Sequence, residues 1–211
     1  MSGVVFALAA ISALAALLLV WEKSVSGSAV IYGVQAACVS GIAVVGARDA
    51  GLIVLAIAAV ALVAKAVVLP LALRRTVARA GSSIVVDASV HTPAALLVAF
   101  FLIAVGFLAL GPVSAAAGLA LGETLVGLWL VASRRALLSQ VVGLMAAENG
   151  AALLMTVLAG EQGALIEGLL LIEAVAAPFA LLVLAALVRR AHGSADTSLL
   201  RSLSGNREDA R

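Results

Sequence analysis

The chain has 211 residues, of which 64% are apolar and only 11% charged, with a formal net charge of +2. A soluble domain carries about 25% charged residues, so a soluble globular fold is excluded and an integral membrane protein is indicated. The single cysteine, Cys38, excludes an internal disulfide framework and any cysteine-ligated zinc or iron–sulfur site built by this chain alone.

A bilayer core about 30 Å thick needs about 20 apolar residues per helix. Seven runs meet that length approximately: Gly3–Trp21, Ser28–Gly46, Ala50–Leu73, Ala94–Leu110, Val113–Ala132, Ala136–Ala159 and Ala164–Val188. The expected fold is therefore all-α, a polytopic membrane protein with residues 1–190 as one transmembrane domain and 191–211 as a polar tail. The alternating ten-residue segments of a membrane barrel are missing, and no internal repeat is visible. The first run lacks a basic leader and a clear small-residue cleavage site, so it reads as a retained helix.

Basic residues set the expected orientation. With the N-terminus outside, Lys23, Arg74, Arg75, Arg79, Arg134, Arg135, Arg189, Arg190, Arg201, Arg207 and Arg211 all fall on the cytoplasmic side. Only Arg48 is left outside, and Lys65 lies within the third run. The C-terminus is then cytoplasmic. An error in the helix count would have scrambled this asymmetry.

The longest connection is expected from Arg74 to Pro93. Asp87 and His91 stand there four residues apart, before the fourth run. One reading is a solvated helix start, with Asp87 favoured near the positive helix end. The other is a proton entry group, because histidine changes charge near physiological pH. In the tail, Leu199, Leu200 and Leu203 fit one apolar face of a short helix or a frayed terminus equally.

Four ionisable residues fall deep in the apolar runs: Lys65 in the third, Glu123 in the fifth, Glu148 in the sixth and Glu173 in the seventh. Glu167 is nearer the outer interface. A charge at a helix centre costs roughly 2.5–3.5 kcal/mol, so four facing lipid would cost about ten in total. They must face one another, a wet cavity or another subunit. Burial opposes the charged form of acids and amines alike, so such groups can change protonation as a proton relay requires. The competing reading is static pairing, with Lys65 holding one glutamate. One lysine cannot neutralise three acids.

The sixth and seventh runs are joined by the short turn Gly160-Glu161-Gln162-Gly163, with arginine pairs beyond both ends. At 1.5 Å per residue, Glu148 lies about 18 Å and Glu173 about 15 Å below that outer turn, and Lys65 about 22 Å below the outer start of the third run at Ala50. The shared depth suits lateral transfer better than a vertical pore. Pro70 and Pro178 each follow an ionisable residue by five positions. They are expected to free the carbonyls of Ala66 and Ala174 for a water or donor, or simply to be tolerated. Asn149, Gln140 and Ser139 add neutral polar groups, and Gly143 and Gly150 allow close helix approach; packing is the plainer reading for all of these. No phosphate loop, metal cluster or nucleophile–base pair is present, so no catalytic centre and no cofactor are expected, and no nucleic-acid partner.

The order Lys65-Ala66-Val67-Val68-Leu69-Pro70, then Ser133-Arg134-Arg135-Ala136-Leu137, Gly143-Leu144 and Glu148-Asn149-Gly150 resembles a known family. It is similar to the E-type membrane subunit of hydrogenase-4 and formate-hydrogenlyase-like complexes. Glu167, Glu173 and Ala191-His192-Gly193 follow at family-like spacing. The resemblance covers most of the chain and is strongest from Gly122 to Leu203. Residues 112–190 also look like the K subunit of respiratory complex I. That family has an acid directly after Gly-Leu, where this chain has Met145 and brings its acid at Glu148. The departure favours the hydrogenase-type subunit.

The resemblance implies a non-catalytic subunit of a complex I-related, group 4 nickel–iron hydrogenase assembly. Its implied partners are antiporter-like membrane subunits, a membrane anchor and a cytoplasmic hydrogenase-like and iron–sulfur module. It implies a multi-pass place in a bacterial or archaeal cytoplasmic membrane, and a contribution from Lys65, Glu123, Glu148 and Glu173 to a mid-membrane proton route. The alternatives are the small membrane subunit of a multi-subunit sodium/proton antiporter, or a freestanding carrier or receptor.

Overall fold

The computed structural model describes residues 3–46, 51–79 and 91–159, with Val183 and Leu187 as two further helical positions. It is all-helical. In chain order the elements are α1 (Gly3–Trp21), α2 (Val25–Gly46), α3 (Leu52–Val63), a π-helical segment (Ala64–Val68), α4 (Leu69–Arg79), α5 (Thr92–Leu110), α6 (Ala115–Ser133) and α7 (Leu137–Ala159). The α3, π and α4 segments form one continuous rod. Among the described residues, six helices are long and apolar enough to cross a membrane. The expected seventh span, Ala164–Val188, lies outside the described residues except at Val183 and Leu187.

Several boundaries differ by a few residues from the sequence reading. The second helix starts at Val25 rather than Ser28. Ser24 precedes it, and its Oγ accepts the Gly27 N–H at 2.9 Å, satisfying one of the helix's unpaired amide groups. Glu22 Oε1 in turn accepts from the Ser24 hydroxyl at 2.7 Å and the Ser24 amide at 2.8 Å. These bonds hold the Glu22 carboxyl below the usual carboxylate range. The third span runs on to Arg79, so Arg74 and Arg75 are helical rather than part of the loop expected from Arg74. At the far end of that loop, Thr92 and Pro93 already belong to the first turn of α5.

Inside a bilayer, lipid tails are as apolar as leucine, so helices associate through close packing of small residues. The buried positions follow that rule. They include Ala9, Ser12, Ala13, Ala15 and Ala16 on α1, and Ala116, Ala117, Gly118, Ala120 and Gly122 on α6, with Leu19, Val20, Val126 and Leu130 beside them. On α5 only Ala95, Ala99 and Gly106 are buried, while Leu97, Phe100, Phe101 and Leu108 point outward.

The tightest seam joins α6 and α7. A Cβ on Gly127 would collide with the backbone of Ala147, and one on Gly143 would sit 2.8 Å from Val131 N. On Gly150 it would sit 2.7 Å from Thr124 Oγ1. The close approach expected at Gly143 and Gly150 is present. Thr124 and Thr156 return their hydroxyls to the carbonyls of Ala120 and Ala152, at 2.9 and 2.8 Å, so neither faces lipid unsatisfied. Gly127→Leu should therefore separate α6 from α7 and destabilise the protein by about 3 kcal/mol or more. A thermal melt of the detergent-solubilised protein measures this.

Candidate functional site

Lys65 lies in the π-helical segment and is 2% exposed. There the Leu69 N–H reaches back five residues to the Ala64 carbonyl. Pro70 follows, with no N–H to give. A widened turn of this kind recurs at functional positions in other helices. The Ala66 carbonyl, expected to be freed by Pro70, packs against α2: a Cβ on Gly33 would come 3.1 Å from it. This is helix-packing geometry.

The Lys65 Nζ lies 3.3 Å from Glu148 Oε1 on α7, the lysine buried and the glutamate 27% exposed. The two groups expected at similar depth are therefore an ion pair. Asn149, next to Glu148, is fully buried, as is Tyr32 on α2. The Tyr32 hydroxyl lies near both Glu148 and Asn149, without a hydrogen bond of good geometry.

Glu123 on α6 is fully buried in a second polar cluster. Its Oε2 accepts the Ser12 hydroxyl from α1 at 2.8 Å and the Gln35 amide from α2 at 3.2 Å. Among the described residues no cationic side chain pairs with it. Tyr32 and Gln35 are three residues apart on α2, which places them on neighbouring positions of one helical face. α2 thus carries a polar side chain to each cluster: Gln35 to Glu123, and Tyr32 to the neighbourhood of Asn149 and Glu148.

Of the residues singled out from sequence, Lys65 and Glu148 touch, and Glu123 lies in a separate cluster with Ser12 and Gln35. His91 is exposed at the start of α5 and makes no side-chain cap. Asp87, Glu167 and Glu173 lie outside the described residues, as does Ala174. Ser12, Tyr32 and Gln35 were missed. Their only signal was a polar side chain inside an apolar run, which a serine or tyrosine often carries without a task.

Arg134 also has a second role beyond its place in the basic asymmetry. Its Nη2 donates to the Leu19 and Val20 carbonyls at 3.1 and 2.9 Å, closing the C-terminus of α1. A cation suits that negative helix end. The ends of α1 and α6 therefore share one face of the bundle. Arg134→Met should leave these carbonyls unpaired and cost about 1–3 kcal/mol, measured as a lower Tm with helix content unchanged.

Comparison with known proteins adds one likeness. No family model matches the chain, and no solved structure matches it. Over 90 residues it is 34% identical to Hydrogenase-4 component E of Escherichia coli (strain K12), Escherichia coli O157:H7 and Shigella flexneri. The match covers 43% of this chain and 42% of the length of each of these relatives, so the similarity to Hydrogenase-4 component E is one of part of the chain to part of that protein.

Proposed function

We propose that the chain is a non-catalytic membrane subunit of a hydrogenase-4-like complex and carries protons laterally at mid-membrane. The observation that carries this reading is a pair of buried polar clusters in an otherwise apolar bundle. One is Glu123 with Ser12 and Gln35, the other the Lys65–Glu148 pair, and Tyr32 stands three residues from Gln35 on the same helix, near Glu148. Glu173 would extend the proton line, and Asp87, His91 and Glu167 would admit protons from either rim. The likeness to Hydrogenase-4 component E supports the assembly: antiporter-like membrane subunits beside it, and a membrane anchor with a cytoplasmic hydrogenase-like and iron–sulfur module supplying the redox drive.

Purifying the tagged chain from its native membranes and identifying what comes with it tests the assembly. Hydrogenase-like, iron–sulfur and antiporter-like subunits are expected together. Antiporter-like subunits without redox proteins would move the chain to a sodium/proton antiporter, and a freestanding chain would overturn both. In this reading the N-terminus lies outside and the C-terminus in the cytoplasm. Reporter fusions at Met1 and Arg211 should then read opposite sides; the same side would remove one span.

A further inference from the structure

The pocket around Glu123 holds more acceptors than donors. Both Glu123 and Gln35 are fully buried. Among the described residues, Glu123 Oε2 takes two donors, while Glu123 Oε1 and Gln35 Oε1 have no hydrogen-bond partner. Lys65 is engaged with Glu148. Cys38 lies near the carboxylate but is a soft ligand.

We propose that Ser12, Gln35 and Glu123 form a binding site for a sodium ion, ligated by Ser12 Oγ, Gln35 Oε1 and the two Glu123 carboxylate oxygens. Hard cations take oxygen ligands at about 2.3–2.6 Å, which leaves neighbouring ligand oxygens about 3–3.5 Å apart. Ser12 Oγ now stands 2.8 Å from Glu123 Oε2 and the Gln35 amide nitrogen 3.2 Å from the same oxygen, both as hydrogen bonds, so the group needs only a small opening to take an ion between them. Turning the Gln35 amide over puts its oxygen where the nitrogen now stands, with almost no change of shape. The Ser12 hydroxyl rotates to offer a lone pair. An all-oxygen set excludes a preference for zinc or copper. One carboxylate balances one positive charge, which favours a monovalent ion in a low-dielectric interior. The three ligands come from α1, α2 and α6, so the ion would also tie these helices together.

This inference rests on the pocket alone and holds whichever complex the chain serves. The test is retention of radiosodium at equilibrium by the purified native complex, titrated against choline chloride at constant ionic strength. The wild type should hold a sodium ion per copy of this chain that Glu123→Gln does not hold, and Ser12→Ala should bind it about tenfold more weakly. Equal retention by wild type and Glu123→Gln overturns the site. If Glu123→Gln prevents assembly, Ser12→Ala decides, and unchanged affinity there overturns it equally. The measurement needs no turnover, so its failure would leave the proton line standing, and loss of the proton line would leave it standing.

Discussion

Glu148→Gln is expected to destabilise the protein by about 3–5 kcal/mol, the cost of leaving a buried charge without its partner. Lys65 is the buried member of the pair and cannot reach water when Glu148 is neutralised. Lys65→Met should destabilise the protein as well, because it removes the cation beside Glu148 at mid-membrane. The double variant should recover most of the loss, since it buries neither charge. Proton pumping separates this structural account from a relay. In an assembled complex both single variants and the double should lower pumping at least about tenfold, a barrier change of about 1.4 kcal/mol, while redox turnover persists uncoupled or slows. Full pumping in the double variant would reduce Lys65 and Glu148 to a static bridge.

The second large effect is expected at α2, where stability and transport should come apart. Tyr32 is fully buried, and its hydroxyl makes no hydrogen bond of good geometry. Tyr32→Phe therefore removes little that holds the fold, and Tm should stay within about 0.5 kcal/mol equivalents of the wild type. If protons pass between the two clusters along α2, the same change should cut pumping about tenfold. Gln35→Leu should do both: it removes a donor from Glu123 Oε2, costing about 1–3 kcal/mol, and it breaks the line. Normal pumping in assembled Tyr32→Phe and Gln35→Leu complexes would show that the clusters act separately. Parallel assays of subunit assembly, hydrogen-linked redox turnover and proton uptake in vesicles give all the readouts needed.

That Lys65 needs an acidic partner was legible from two facts, but that the partner is Glu148 was not. Bilayer thickness limits where a helix residue can lie in depth, and a lysine and a glutamate at similar depth in lipid must find one another or another partner. Glu123 was legible as a problem but its solution was not. Its partners Ser12 and Gln35 lie 111 and 88 residues away in sequence, and neither carries a charge to announce the pairing. Arg134 was readable as a basic residue at a membrane face. That it also closes the end of α1 depends on α1 and α6 ending side by side.

Span positions, the all-helical class and the basic asymmetry follow from the chain's own order, because backbone hydrogen bonding and bilayer thickness act locally on each run. Starts and ends shifted by a few residues, at α2 because the capping contact of Ser24 extended the helix beyond its apolar run. Tertiary structure alone decided which helix faces meet. Apolar side chains have no preference between lipid and one another, so contact is chosen by small residues such as Gly127, Gly143 and Gly150 that let backbones approach. That choice brings Gln35 of α2 to Glu123 of α6 and Tyr32 of α2 near Glu148 of α7. The two polar clusters are thus products of long-range packing, which no single run contains.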